Sequence, residues 1–401
     1  MSDLDTFREE IHRWLDQNAP PSMRTPYKSF DELCWGGKKA RYSEDVLHWR
    51  DVMAERGFTA PTWPREYGGA GLSKAEAKVL AEEMARLHLR PPLIGFGFWM
   101  IGPLLLQEGS EELKREHLPK IARGEVRWCQ GYSEPGAGSD LASLQTRAVR
   151  DGDHFIVSGQ KVWTSYADLA DWMFLLVRTD QSAKKQEGIT FLLMDMDSPG
   201  VSVRPIRLIS GASPFCETFL SDVRVPVRNV VGEIHHGWTI ARALLGHERT
   251  AIAEMFKEHD DAIGLVDAAR HYLGSDIADH TGEGRIADPV ARDQIAQLDI
   301  DQACFEALLA RMQAEARAGH KPGHESSILK LYGTELNQRR RDLHVTIAGP
   351  QGLGWSGPGF SEQELKATRS WLRSRGNSIE GGTSEIQLNI IAKRVLGLPG
   401  L

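Results

Sequence analysis

The spacing of apolar residues changes twice along the chain, and this change limits the possible folds more than any other feature. Up to about residue 125 the apolar residues recur at helical spacing, and helices are expected around residues 44–57, 73–88 and 110–123. From about 128 to 232 the apolar residues recur every second residue instead, in short β-branched and aromatic runs that are broken by Gly, Asp and Pro. This pattern predicts a helical region followed by a β-sheet.

Helical spacing returns after Gly237, with helices expected at about 238–272, 290–318, 324–348 and 383–396. The order of the elements predicts an α+β fold with three domains. These are an N-terminal helical domain (1–126), a central antiparallel β domain of six to eight strands (127–232) and a C-terminal helical bundle (233–401). A chain of 401 residues exceeds the size at which one hydrophobic core keeps growing, which agrees with several packed units.

Charge and cysteine content exclude several classes of function. The chain has 48 basic and 55 acidic residues, a net charge of -7, with both signs scattered, so we expect neither nucleic-acid binding nor a membrane-surface site. No apolar run approaches the roughly 20 residues of a membrane-spanning helix. The four cysteines lack metal-ligand spacing, so we expect no metal site and no disulfide framework. A soluble protein of the reducing cytoplasm is expected.

Five segments carry motifs, and two of them lie in the β domain: WCQGYSEPGAGSDL (128–141) and GQKVWTS (159–165). The others are WPREYGGAGLS (63–73), DVRVPVRNVVGEIHHGW (222–238) and GGTSEIQLNIIAKRVLG (381–397). One such glycine-rich segment alone would mark only a turn. Together, and in this order, they resemble the acyl-CoA dehydrogenase family over nearly the whole chain.

The resemblance implies an FAD enzyme that removes a proton from the α carbon and a hydride from the β carbon of an acyl-CoA. Electrons would then pass to an electron-transfer flavoprotein. The cofactor would carry the hydride step, because no side chain accepts hydride. The resemblance assigns the flavin ring to Gln130, Tyr132, Ser133, Trp163 and Ser165. In this assignment the Ser133 hydroxyl and nearby backbone bind the pyrimidine side, Ser165 meets flavin N5, and Trp163 packs beside the ring.

The resemblance also assigns residues to the dinucleotide end of FAD. Arg285 matches an arginine that reaches the pyrophosphate of a neighbouring subunit, a role that suits a guanidinium. Gly349 and Gly352 would let the backbone approach the diphosphate, and Thr383 and Glu385 match the stretch that meets the adenosine portion. A cofactor shared across an interface implies a homo-oligomer, either a tetramer or a dimer.

The catalytic base is the least regular part of the resemblance. In one large branch of the family the base is a glutamate two residues before the C-terminal threonine, and here that position is Gly381. Members with a small residue there usually supply the base from the long helix after the β domain, which points to Glu248 in LLGHERTAIAE. Apolar neighbours on that helix would place the carboxylate in a desolvated pocket. Glu380, one residue before Gly381, is the alternative base.

Two other functions stay open at this point. A flavin oxidase or monooxygenase of the same fold would use molecular oxygen, and a non-catalytic subunit of a hetero-oligomeric dehydrogenase would bind CoA thioesters without turnover. The apolar stretch of Phe96, Phe98, Trp99 and Met100 could line an acyl pocket, although a helix core gives the same pattern. The exact residues of the motifs resemble those of bacterial dehydrogenases that act on fatty, branched or steroid side-chain acyl-CoAs.

Overall fold

The computed structural model describes residues 3–27, 32–244, 264–278, 284–317 and 323–399. The chain divides into two compact units, Met1–Ile206 with Pro214–Leu245 (the first unit) and Arg207–Ser213 with Gly246–Leu401 (the second unit). Helices, a sheet and then helices follow one another along the chain, which confirms the predicted fold class. The domain boundaries at 126 and 232 stay a prediction.

The N-terminal part of the first unit is helical. Its helices are α1 (Asp3–Asn18), α2 (Glu44–Glu55), α3 (Lys74–Arg86), α4 (Gly102–Glu108) and α5 (Glu111–Ala122), with a π-helical turn at Gly97–Ile101. Ser43, Ser73 and Ser110 cap α2, α3 and α5, each accepting a hydrogen bond from a backbone N–H of the first turn. Buried side chains that include Ile11, Trp49 and Leu80 join α1, α2 and α3 in one apolar cluster.

The described residues form a seven-stranded central sheet. Its strands are β1 (Trp128–Gly131), β2 (Arg147–Asp151), β3 (His154–Ser165), β4 (Trp172–Arg178), β5 (Ile189–Asp195), β6 (Val201–Ile206) and β7 (Phe215–Pro226). The strand order is β1-β4-β2-β3-β7-β6, and β5 pairs with β4.

The sheet is mixed, whereas an antiparallel one was expected. β4 pairs in parallel with β1 and, through Arg147 and Arg178, with β2. Long connections separate these partners in the sequence, and parallel pairing needs such connections. The remaining pairings are antiparallel. β4 is buried on both faces, because Phe174 contacts one core cluster and Met173 the other, and this explains its continuous apolar sequence.

Helices dominate the rest of the chain. Residues 237–244 are helical, and the second unit contains α6 (Leu265–Leu273), α7 (Pro289–Arg317), α8 (Ser326–Ala348), α9 (Glu362–Ser374) and α10 (Ser384–Ile390), which continues as a π-helical turn, Ile391–Val395. α8 is central and packs against α6, α7, α9 and α10. A two-stranded hairpin of β8 (Ser275–Ala278) and β9 (Gly284–Ile286) follows α6. The hairpin and α9 were not predicted, and part of the expected helix at 238–272 lies outside the described residues.

Candidate functional site

A β-bulge in β3 presents Trp163 at the surface of the sheet. The register between β3 and β7 shifts between Lys161 and Thr164, and Trp163 has a left-handed backbone with φ 61°. Lys161 and Thr164 are fully buried, whereas Trp163 is 55% exposed. A left-handed backbone is unfavourable for a bulky residue, and bulges near active sites commonly re-aim a side chain. The bulge therefore turns an aromatic ring outward.

Two serines lie on the segments that meet at this bulge. Ser165 ends β3 two residues after Trp163. The carbonyl of Ser133 accepts a hydrogen bond of 2.9 Å from the Val162 N–H, so the segment after β1 runs beside the bulge. Ser133 and Ser165 are both half-buried. The structure thus brings together the segments that carry Ser133, Trp163 and Ser165.

The other two residues assigned to the flavin ring lie at the end of β1. Tyr132 is 4% exposed, and its phenol ring packs edge-on against Phe174 and Phe191 in the core. Its side chain therefore serves packing. Gln130 is half-buried and lies on β1, where it pairs with Phe174.

A buried ion pair joins the two motif segments of the β domain. Lys161 Nζ lies 2.8 Å from Glu134 Oε1 and also donates to the carbonyls of Tyr132 and Leu176 at 3.2 and 2.7 Å. Burial lowers the pKa of Lys161 to about 8, and the charge of Glu134 opposes that shift. Burial acts to raise the pKa of Glu134, but the Lys161 charge and the hydrogen bonds hold that pKa below its ordinary value.

The Glu134 carboxylate also accepts hydrogen bonds from a third segment of the chain. Its Oε2 accepts the Gln145 N–H at 2.6 Å, and its Oε1 accepts the Thr146 N–H at 2.9 Å. We did not single out Glu134 or Lys161 from the sequence. The alternation of side chains along a strand could have identified Lys161. Phe155, Val157 and Lys161 are separated by even numbers of residues on β3, so their side chains are expected on the same inward face.

The surface around Trp163 fits the flat ring of the flavin that the resemblance implies. It offers an exposed indole with half-buried hydroxyls on the adjoining residues. The turn after Glu134 leaves room beside it, since a Cβ added at Gly136 or Gly138 would meet no atom of the described residues within 4 Å. Neither glycine has a positive φ, so the fold of this unit does not itself require glycine there.

Arg285 lies in the second unit, where Asp276 binds it. Its Nη2 and Nε lie 2.9 and 3.2 Å from the Asp276 carboxylate across the β8–β9 hairpin. Hydrogen bonds to Asp276 raise the pKa of Arg285. A pyrophosphate at this arginine would therefore have to compete with an aspartate for the guanidinium.

Gly349 and Gly352 lie in the turn after α8, and a different structural constraint favours glycine at each position. Gly349 has φ 56° and ψ -129°, a conformation that side chains disfavour, and the space where its Cβ would lie is open. A Cβ at Gly352 would lie 2.6 Å from the Val345 carbonyl, and the Gly352 carbonyl accepts a hydrogen bond of 2.9 Å from the Thr368 hydroxyl. Close packing thus fixes Gly352.

Thr383 and Glu385 lie at the start of α10. The Thr383 hydroxyl accepts a hydrogen bond of 3.2 Å from the Ile386 N–H and so caps the helix. Glu385 is exposed in the first turn. α8 packs against both α10 and the turn that holds Gly349 and Gly352. The residues assigned to the dinucleotide end thus lie around one helix, with Arg285 on the separate hairpin.

The two candidate bases differ in what the structure shows of them. Glu248 lies outside the described residues. The carboxylate of Glu380 accepts hydrogen bonds from Arg373 at 2.8 Å and from Asn377 at 2.6 Å. Gly381, at the position of the common base, has φ 64°.

Three further findings concern metal ligands, thiols and membrane-spanning helices. Within the described ranges, no group of His, Cys, Asp or Glu side chains is arranged to hold a metal ion. Cys34, Cys129, Cys216 and Cys304 are free thiols. Among the same residues, no helix has both the length and the apolar character that crossing a membrane requires.

Comparison with known proteins gives matches along the whole chain. Models of the acyl-CoA dehydrogenase N-terminal, middle and C-terminal domains match residues 2–125, 129–223 and 235–396. The acyl-CoA dehydrogenase IpdE1 of Mycobacterium tuberculosis is 35% identical over 402 residues, covering 100% of this chain and 99% of the relative.

Two solved structures are similar in fold over the same length. The steroid ACAD Tcur3481-Tcur3483 is 30% identical with a TM-score of 0.75, covering 99% of this chain and 98% of that chain. The ChsE4-ChsE5 complex of Mycobacterium tuberculosis is 29% identical with a TM-score of 0.71, covering 100% and 99%.

Proposed function

The chain belongs to the acyl-CoA dehydrogenase family, and from this premise we propose that it oxidises an acyl-CoA thioester to the 2-enoyl-CoA with FAD as cofactor. Electrons then pass to an electron-transfer flavoprotein. The observation that carries the proposal is the bulge in β3, which turns Trp163 outward beside the segments of Ser133 and Ser165. FAD, when bound, supplies the hydride acceptor that the side chains lack.

The chain itself contributes binding and orientation at the ring. The indole of Trp163 offers an apolar face for a planar ring to pack against. The hydroxyls of Ser133 and Ser165, with the backbone at Gln130 and Tyr132, supply hydrogen bonds. Donors at the pyrimidine side stabilise negative charge there when the ring is reduced.

For the dinucleotide end, the proposed contacts are Arg285, the turn with Gly349 and Gly352, and Thr383 with Glu385. The open space beside Gly349 favours this assignment. Asp276 weakens the case for Arg285, because its carboxylate already accepts hydrogen bonds from Nε and Nη2 of the guanidinium.

We assign the α-proton to Glu248. The support comes from its position in the sequence after the β domain, where the resemblance puts the base, and from the contacts of the alternatives in the second unit. Gly381 has no side chain, and both oxygens of Glu380 already accept hydrogen bonds. A general base needs an oxygen that can take up a proton from the substrate.

The proposed substrate class is an acyl-CoA whose acyl group carries bulky rings, such as a steroid-derived one. A steroid ACAD among the similar structures supports this. A cluster of aromatic side chains in the N-terminal helical part of the first unit also favours a ring-bearing acyl group. Trp99 and Phe96 lie edge-on to Trp35, with 5.3 and 6.0 Å between the ring centroids. Phe98 stacks on Trp63, and Met100 is buried in the core, so these two serve packing.

We also propose that the enzyme is an oligomer, as a shared cofactor would require. The second unit exposes the apolar side chains of Leu353, Ile379 and Leu396 to 70%, 66% and 64%. A homo-oligomer was expected, and the ChsE4-ChsE5 complex shows that a similar chain can assemble with a different one. Native mass spectrometry of the purified chain, alone and with related dehydrogenase chains, distinguishes the two arrangements.

An anaerobic titration of the purified protein with a panel of acyl-CoAs tests the function. We expect flavin absorption that a ring-bearing acyl-CoA bleaches, slow reoxidation in air, and loss of bleaching in Glu248→Gln with the flavin still bound. Rapid reoxidation with peroxide would indicate an oxidase. A colourless protein that cannot be reconstituted with FAD would indicate a non-catalytic subunit.

A further inference from the structure

We propose that Glu380 is a positioning residue: with Arg373, Asn377 and the buried Lys330 it clamps the two-glycine turn 381–382 and so presents Thr383 to FAD. The inference rests on the proposed function, because Thr383 is assigned to the adenosine portion by resemblance. It gives Glu380 a role other than that of a base.

The first support is the set of hydrogen bonds at the Glu380 carboxylate. Oε1 accepts from Asn377 Nδ2 at 2.6 Å and from Arg373 Nη1 at 3.3 Å, and Oε2 accepts from Arg373 Nη2 at 2.8 Å. The Glu380 N–H donates to the Gly376 carbonyl at 3.0 Å. The three hydrogen bonds to the carboxylate and the backbone hydrogen bond together fix the orientation of the Glu380 side chain.

The second support is the space that the chain leaves for this ion pair. A Cβ added at Gly376 would lie 2.9 Å from Arg373 Nη1 and 3.8 Å from Glu380 Oε2. Gly376 has no positive φ, so its backbone does not need glycine. The absence of a side chain there leaves room for the guanidinium of Arg373.

The third support is the buried layer behind the pair. Asn377 is 7% exposed, and its carbonyl accepts a hydrogen bond of 2.9 Å from Nζ of Lys330, which is fully buried in α8. Asn377 Oδ1 accepts a hydrogen bond of 2.8 Å from Asn337 Nδ2, also on α8. Burial lowers the pKa of Lys330, and the charge of Glu380 is the main opposing influence. Glu380 therefore balances a buried cation as well as binding Arg373.

The turn is held from its other side too. Gly381 and Gly382 have φ 64° and 93°, and their carbonyls accept hydrogen bonds of 3.0 and 3.4 Å from Gln387 Nε2. A Cβ at Gly382 would lie 2.5 Å from that nitrogen. Thr383 follows directly and caps α10. With Glu380 on one side and Gln387 on the other, the turn has one defined path into Thr383.

The test compares FAD affinity in the full-length chain, measured by quenching of FAD fluorescence as apoprotein is added. We expect Glu380→Gln and Arg373→Met each to weaken FAD binding by about tenfold, and Arg373→Lys, which keeps the charge, to recover part of the loss. Gly376→Ala adds only a methyl group beside the Arg373–Glu380 ion pair, and it should also weaken FAD binding. Glu362→Gln, at an exposed glutamate on α9, is the matched control and should bind FAD as wild type does.

Bleaching per bound flavin separates positioning from catalysis. With saturating FAD, we expect Glu380→Gln to be bleached, by an acyl-CoA that bleaches wild type, within about twofold of the wild-type rate. The proposal would be overturned if Glu380→Gln and Arg373→Met both bound FAD within twofold of the wild-type affinity. It would also be overturned if Glu380→Gln bound FAD tightly but were no longer bleached by the acyl-CoA. If no acyl-CoA bleaches wild type, the proposed function fails, yet the affinity comparison still decides the role of Glu380. Should Glu380→Gln not fold, Arg373→Lys and Gly376→Ala give the same comparison.

Discussion

Lys161 and Glu134 form a buried ion pair, with 2.8 Å between Lys161 Nζ and Glu134 Oε1, that connects two segments 27 residues apart in the sequence. The three N–H groups of the lysine have three acceptors, namely Glu134 and the carbonyls of Tyr132 and Leu176. Ser133 directly precedes Glu134, and Ser165 follows Lys161 by four residues. The pair therefore fixes the backbone on which both hydroxyls of the proposed flavin site lie.

Lys161→Met should destabilise the protein by about 3–5 kcal/mol, because it leaves the carboxylate of Glu134 buried without its cation. Urea titration at pH 7, followed by circular dichroism, measures this loss. The double variant with Glu134→Gln should recover part of it, since no buried charge is left unpaired. The same double variant should still bind FAD more weakly than wild type.

The control is Lys185→Met, at an exposed lysine that pairs with Asp140 at 2.7 Å. Both members of that pair are more than half exposed, so solvent screens them. We expect no measurable change in stability. A Lys161→Met variant as stable as Lys185→Met would show that the buried pair does not hold the sheet segments together.

Trp163→Ala should separate ligand binding from folding. Because the indole is 55% exposed and packs edge-on against Phe215 alone among the described rings, its removal should lower the free energy of unfolding by only about 1 kcal/mol. FAD affinity should fall about tenfold with the loss of the aromatic contact, and Trp163→Phe should keep most of the affinity. Trp49→Ala, at a tryptophan 1% exposed, should instead cost about 3–5 kcal/mol. Unchanged FAD affinity in Trp163→Ala would remove this ring from the flavin site.

The order of helices and strands could be predicted from the sequence because long periodic segments determine it. α7 (Pro289–Arg317) and α8 (Ser326–Ala348) lie within two residues of the helices expected from spacing. The β8–β9 hairpin was missed because strands of four and three residues are too short to show a period. The parallel pairing of β1 with β4 was missed because β2 and β3 separate these strands in the sequence, and spacing within a strand does not indicate its partner or direction.

The candidate site could be predicted only in part, for a similar reason. The motif strings identified Ser133, Trp163 and Ser165, but the left-handed backbone that exposes Trp163 depends on the pairing of β3 with β7. A lysine in a strand is usually solvated, so the buried position of Lys161 emerges only when Glu134 is brought to it in the fold. Likewise, the Arg373 contact of Glu380 spans a helix end and a turn that spacing alone does not predict.

His117 should make the stability of the first unit depend on pH. Its ring is fully buried between Trp128 and Trp172, and within the described part of the chain neither ring nitrogen has a hydrogen-bond partner. Burial lowers its pKa from 6.5 to about 3, helped by the charges of Lys120 and Arg228. Between these values the unfolded chain binds a proton that the folded chain does not. Stability is therefore full above pH 6.5 and falls by about 1.4 kcal/mol per pH unit below it.

His117→Phe should remove that dependence, because phenylalanine does not titrate. Urea titrations at pH 7 and pH 5 should show that wild type loses about 2 kcal/mol more than the variant over this interval. His48→Gln, at an exposed histidine on α2, is the control and should follow wild type. Equal losses in wild type and His117→Phe would mean that His117 is accessible to protons in the folded state.

Gly138→Ala tests whether a ligand passes close to the turn after Glu134. Among the residues that the structure describes, nothing requires glycine there, since a Cβ would meet none of their atoms within 4 Å and φ is not positive. We therefore expect unchanged stability but FAD binding weakened by about tenfold, as when a methyl group is forced into an occupied contact. Gly131→Ala provides the contrast, because a Cβ there would lie 2.4 Å from the Met173 sulfur, and it should cost about 1–3 kcal/mol of stability. Normal FAD affinity in Gly138→Ala would show that the cofactor does not approach this turn.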